Sequence, residues 1–111
     1  MKYLETQDQF EVLIGKQNTY DPVPKTTVIW FSAEWCGPCK KIRIQELMGN
    51  FNVNWLKCDI DRNDYTAGYC GIRSIPTFMV VHNKKIVDTK ASSNTSEIYE
   101  WLKDIFNKID A

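Results

Sequence analysis

The sequence has a single histidine, His82, among its 111 residues. That is too little imidazole for His-based chemistry or a His-rich metal site. Neither sign of charge is in excess: 14 Lys and Arg balance 14 Asp and Glu, for a formal net charge of +0. A balanced chain offers no electrostatic footprint for nucleic acid or an anionic membrane surface. Apolar runs are short, well below the roughly 18 residues that read as a membrane span. The opening stretch "MKYLETQDQFEVLIGK" lacks an apolar signal region and a small-residue cleavage site. Internal repeats, low-complexity tracts and linkers are missing too. The expectation is one soluble, cytoplasmic domain over 1–111, long enough to bury a core without disulfide staples.

Cysteine, by contrast, is present four times, at Cys36, Cys39, Cys58 and Cys70. In a compartment that keeps thiols reduced, such residues are reactive or buried rather than a structural framework. Two of them stand in "VIWFSAEWCGPCKK" (Val28 to Lys41), directly after a β-branched and aromatic run. That run, "TTVIWFSA", does not alternate, as expected of a central strand buried on both faces.

The rest of the chain places this stretch. Tyr3 and Leu4 suggest a short edge strand. Thr6 and Gln9 form a capping box, and Phe10, Leu13 and Ile14 supply the apolar face of the helix behind it. "NTYDPVPK" is a loop. "KKIRIQELMGN" reads as a helix with Ile44, Leu47 and Met48 on one face and Gly49 as its C-cap. "FNVNWLKCDI" is a second buried strand, and "DRNDYTAGYCG" a short helix or turn. "PTFMVVH" and "KIVDTK" make a hairpin through Asn83 and Lys84. Asn94 and Glu97 cap a last helix whose apolar face is Ile98, Trp101, Leu102, Ile105 and Ile109. The fold class is α/β, a mixed sheet with helices on both faces.

Cys36 follows a strand and opens a helix. The first helical turn presents unpaired N–H groups and favours negative charge. A thiol there ionises below its free value of about 8.5, and only the thiolate attacks a disulfide. Two intervening residues bring Cys39 round to the Cys36 sulfur. Pro38 suits the first helical turn, and Gly37 leaves room for a partner chain. This supports a two-step exchange in which Cys36 attacks and the less exposed Cys39 resolves. Zinc is the rival: one CxxC supplies two ligands where a closed site needs four, and Cys58, Cys70 and His82 lack the spacing for the rest.

"WCGPCK", followed by "KCDID" and "CGIRSIPTF", resembles the thioredoxin family over essentially the whole chain. The resemblance implies the thioredoxin fold and a protein-disulfide reductase. It makes Cys36 the nucleophile and Cys39 the resolving thiol. It makes Trp35 an exposed aromatic beside the site, Pro76 a cis-proline facing the disulfide, and Ile75 a source of backbone hydrogen bonds to an extended substrate. The residues alone read Ile75-Pro76 as no more than a strand start. The resemblance further implies no metal or bound organic cofactor, disulfide-containing clients, and an NADPH-dependent thioredoxin reductase as electron source. A monomer with no nucleic-acid or membrane partner is expected.

Four positions depart from the family pattern. Trp30 replaces a buried aspartate that neighbours Lys57 and assists Cys39. Trp30 is therefore expected to be core, and Lys57 to reach solvent or pair with Asp59 or Asp61. Ile44 replaces a helix-kinking proline, so the helix is expected to run straighter. Ser92 replaces a glycine beside the substrate groove, and Lys84 a turn glycine. Cys58 reads as a buried free thiol. Cys70 reads as a surface thiol, exposed to oxidation or bridging, and a Cys58–Cys70 disulfide stays open. Glu34 and His82 read as surface. Two alternatives to a general reductase remain: a dedicated redox partner of one client, and a non-catalytic docking module on the same fold.

Overall fold

The computed structural model describes residues 1–109. Strands β1 (Lys2–Tyr3), β2 (Thr26–Ser32), β3 (Asn54–Asp59), β4 (Thr77–His82) and β5 (Lys85–Ala91) form one sheet in the order β1-β3-β2-β4-β5. The pairs β1–β3 and β2–β3 are parallel, whereas β2–β4 and β4–β5 are antiparallel. The sheet is therefore mixed, as the alternation of patterns implies.

Helices α1 (Gln7–Leu13) and α3 (Asp64–Tyr69) cover one face. Phe10, Leu13 and Ala67 pack there on Ile29, Phe31, Cys58, Met79 and Val81. Helices α2 (Ile44–Asn50) and α4 (Thr95–Ile109) cover the other, where Leu47, Ile98, Leu102 and Ile105 meet Val28, Trp30, Phe78 and Val80. Covering both faces explains the missing alternation in β2: Val28, Ile29 and Phe31 are each fully buried. Each such side chain contributes about 1.5–3 kcal/mol relative to exposure.

The caps follow the sequence, with one addition. Thr6 Oγ1 accepts from the Gln9 N–H while Gln9 Oε1 accepts from the Thr6 N–H, closing the box on α1. At α4, Asn94 Oδ1 accepts from the Glu97 N–H. The return arm passes through Ser92, whose Oγ accepts from the Asn94 N–H and donates to Glu97 Oε2.

The segment after the CGPC motif does not run as one straight helix. Pro38–Lys41 is a 3₁₀ turn, Ile42 is extended (φ −70°, ψ 125°), and α2 begins at Ile44. The break needs no proline. The Arg43 N–H that would continue the helix donates instead to Thr95 Oγ1 at 3.0 Å, and the extended Ile42 is buried in the core. Gly49 is likewise not the C-cap: α2 reaches Asn50, and Phe51 turns out of it to pack on Tyr99 and Phe106. His82 is half-buried rather than solvated, with Nδ1 2.7 Å from Thr26 Oγ1.

The β4–β5 hairpin turns through Asn83 and Lys84 at φ 51° and 64°. Both are left-handed, as a type I′ turn requires. Asparagine tolerates this and lysine does not, at about 1–2 kcal/mol per residue. Glycine would lift that cost and lose about half as much to its freer unfolded chain. Lys84→Gly should therefore stabilise the protein by about 0.5–1 kcal/mol, read as a higher urea midpoint at unchanged slope. A lower midpoint would mean that the Lys84 stem, which lies against Gly15, outweighs the backbone.

Candidate active site

Strand β2 delivers the chain to the carboxyl edge of the sheet, between β3 and β4. Ala33 is the last buried residue before the turn, and its carbonyl accepts from the Cys36 N–H at 3.2 Å. Glu34, Trp35, Gly37 and Pro38 are exposed. Cys36 and Cys39 are joined by a disulfide, their Cα atoms 5.3 Å apart. Cys36 does not open an α-helix: it precedes the 3₁₀ turn, and in place of a helix dipole its sulfur meets one local donor. That donor is the Cys39 N–H, 3.1 Å from Cys36 Sγ. It favours negative charge on that sulfur once the disulfide opens. Burial does not tell the two cysteines apart, at 3% and 2% exposed.

On the far side of the disulfide lies the Ile75-Pro76 bond, which is cis. The Ile75 carbonyl oxygen is 3.8 Å from Cys36 Sγ. Pro76 is buried and Ile75 half-buried at the mouth of β4. Thr77 Oγ1 donates to the Ser74 carbonyl at 2.7 Å and fixes this bend. The structure therefore brings Cys36, Cys39 and Ile75-Pro76 together from segments far apart in sequence.

These observations meet what is found among known proteins. The thioredoxin family model matches residues 3–104. The chain belongs to the thioredoxin family. It is a thiol-disulfide oxidoreductase, and the pair at CxxC spacing makes it a protein-disulfide reductase. Among relatives, thioredoxin 2 of Chlorobaculum tepidum is 38% identical over 92 residues, which cover 78% of this chain and 79% of that one. The thioredoxin of Malassezia sympodialis is 31% identical over 103 residues, covering 88% and 91%. The structure of mitochondrial thioredoxin 3 from Saccharomyces cerevisiae, in its oxidised form, superposes with a TM-score of 0.79 at 29% identity, covering 94% of each chain.

Against that family pattern, Trp35 is 65% exposed beside the disulfide, its indole N–H donating to Asp61 Oδ2 at 2.7 Å. Asp61 is held in turn, its N–H donating to Asp59 Oδ1 at 2.9 Å. Sequence reasoning missed this role for Asp61. The bond joins residues 26 apart, and no local pattern announces it.

Asp59 and Asp61 are therefore engaged elsewhere, and Lys57 pairs with neither. Its ammonium lies over the Trp30 ring, 4.9 Å from the centroid, and 5.9 Å from that of Tyr3. The half-buried lysine thus lies against aromatic faces and pairs with neither aspartate. Trp30 is core as expected, at 7% exposed, and stacks on Phe78 with centroids 6.2 Å apart. Ser92, expected beside the groove, has its hydroxyl committed to the cap of α4.

Cys58 and Cys70 are both free thiols, not a disulfide. Cys58 is fully buried, its Sγ 3.8 Å from the Asn63 carbonyl oxygen. Burial pushes the Cys58 thiol up to about 12 and the Cys70 thiol up to about 11. Cys70 is half-buried against the α1–α3 core, not the exposed thiol expected, because it caps the end of α3 over that core. Both stay protonated, and hence unreactive, at neutral pH. When the reduced protein is treated with iodoacetamide at neutral pH, Cys36 should be modified first. Cys70 should follow only as pH climbs toward about 11, where its thiolate forms. Peptide mapping that finds Cys58 or Cys70 labelled ahead of Cys36 would contradict this order.

Proposed function

We propose that this protein reduces client disulfides with Cys36 as the attacking thiolate and Cys39 as the resolving thiol. The observation that carries the assignment is the Cys39 N–H directed at Cys36 Sγ. It stabilises charge on one sulfur of the pair and leaves the other as the weaker acid.

In the first step Cys36 Sγ⁻ attacks a client disulfide. One client sulfur leaves with the bonding pair and a mixed disulfide remains. Cys39 then attacks Cys36 Sγ, the Cys36–Cys39 bond forms, and the second client sulfur leaves as thiolate. The client has gained two electrons and the protein has lost them. The client segment would lie extended against Trp35, Gly37 and Pro38, with backbone hydrogen bonds at Ile75 beside Pro76. Ser92 would border this groove, with its side chain held by Glu97.

The cysteine pair itself stores the electrons, so the reading needs no metal or organic cofactor. An NADPH-dependent thioredoxin reductase would restore the dithiol. Action as a monomer in the cytoplasm belongs to the same proposal. The two free thiols Cys58 and Cys70 support a reducing compartment. The neutral charge balance supports protein clients over nucleic acid or membrane.

Cys39→Ser should abolish dithiothreitol-driven insulin reduction while trapping clients as disulfides to Cys36. Activity equal to wild type in Cys39→Ser, or trapping through another cysteine, would refute the assignment.

A further inference from the structure

On one side the client site opens into a groove that the exchange steps above do not use. Strand β5 ends opposite the start of β4, with Ala91 paired to Thr77. That register carries the next residue, Ser92, to the level of Pro76. Ser92 Oγ donates to Glu97 Oε2, and Glu97 lines a wide groove between β5 and α4. The groove is thus continuous with the place where a client backbone would lie. Its volume of about 770 Å³ gives room for several side chains.

One sign of charge dominates its walls. Glu97, Glu100, Trp101 and Asp104 recur at the spacing of a single helical face on α4, and all four line the groove. Lys90 on β5 is the one cation lining it, and among the described residues it pairs with none of these carboxylates. Asp104 shares its charge with Lys108 at 3.0 Å, and Glu100 has no ion-pair partner among the described residues. Like charges one turn apart weaken a helix, so this stripe works against the stability of α4. The chain as a whole is neutral, at +0, so the excess is local. Around the CGPC turn and the cis-proline the exposed charges are mixed instead: Glu34 and Asp61 stand with Lys40, Lys41 and Arg73.

Trp101 is a second, independent observation. It is half-buried, packed on the core beneath α4, and its indole N–H donates to Asp88 Oδ2 at 2.9 Å. That bond fixes the ring while part of it remains at the groove. An aromatic ring flanked by carboxylates suits a cation, which the quadrupole attracts and the carboxylates pair. A guanidinium suits it best, because it both stacks on rings and bonds carboxylates through two N–H groups.

We infer that the β5–α4 groove extends the client site and takes an arginine- or lysine-bearing segment beside the client's reactive cysteine, with Glu97, Glu100 and Asp104 as charge partners and Trp101 as the platform. This rests on the exchange reading above and narrows its substrate class to disulfides with basic residues nearby. The groove makes and breaks no bond. It steers the client onto Cys36 and holds it there, so Glu100 and Asp104 set specificity and are not catalytic residues.

Two oxidised peptides with the same intrachain disulfide test this, one flanked by two arginines and the other by two serines. Rapid acid quench gives the rate at which the reduced protein reduces each. At low salt wild type should favour the arginine peptide about tenfold. Near 1 M salt, where charges are screened beyond about 3 Å, the ratio should approach one. The double substitution Glu100→Gln and Asp104→Asn should bring the low-salt ratio below about threefold. Both side chains are exposed, so the fold does not depend on them. Equal rates for the two peptides in wild type would overturn the inference, as would a preference that survives the double substitution or falls as far in Glu34→Gln, in the CGPC turn. So would a dimer seen by sedimentation in wild type and lost in the double variant, which would give the groove to a second copy. Reduction of neither peptide would refute the exchange reading and this inference with it.

Discussion

Strand β2 has a neighbour on each side and helices over each face, so its backbone and side chains leave water together. That burial is the constraint from which the site follows. A chain emerging from such a strand meets solvent first at the carboxyl edge of the sheet. Here that edge lies between a parallel neighbour, β3, and an antiparallel one, β4. Asp59 at the end of β3 accepts from the Asp61 N–H, and Asp61 in the turn that follows accepts from the Trp35 indole. Ile75 and Pro76 lie just before β4, with the Ile75 carbonyl oxygen 3.8 Å from Cys36 Sγ. The CGPC turn is thereby clamped from both sides by segments that share no local sequence with it.

The space beneath the turn is settled by aromatic packing rather than by an ion pair. A buried lysine opposite a carboxylate would demand close geometry and carry a large desolvation cost. Lys57 lies instead between the Trp30 and Tyr3 rings, contacts worth about 0.5–2 kcal/mol of attraction. The stack of Trp30 on Phe78 carries this row to the strand that follows the cis-proline. The side chain at position 30 is thus part of the floor of the active site and of the register of the sheet at once.

Much of this was legible in the residues. The unalternating run in β2, the hairpin at Asn83-Lys84 and the α4 face at Ile98, Leu102 and Ile105 are periodicity signals, and each became the element expected. The spacing of Cys36 and Cys39, with Pro38 after Gly37, located the chemistry. What stayed hidden depends on long-range bonds. The break between the 3₁₀ turn and α2 is held by Thr95, 52 residues from Arg43. The place of Lys57 depends on which acids were already engaged, Asp59 by Asp61 and Asp61 by Trp35. The facing of Ile75-Pro76 toward the disulfide came from family resemblance; strand propensity alone assigned it a strand start.

The central claim is that one cysteine pair, Cys36 and Cys39, carries all the redox chemistry while Cys58 and Cys70 stand apart. Intact-mass measurement across a graded dithiothreitol redox buffer tests it most directly. A single two-electron transition is predicted, changing the mass by two hydrogens, with a slope of about 30 mV per tenfold change in the reduced-to-oxidised ratio. It should vanish in Cys36→Ala. A transition that survives that substitution, or one that changes the mass by four hydrogens, would contradict the account.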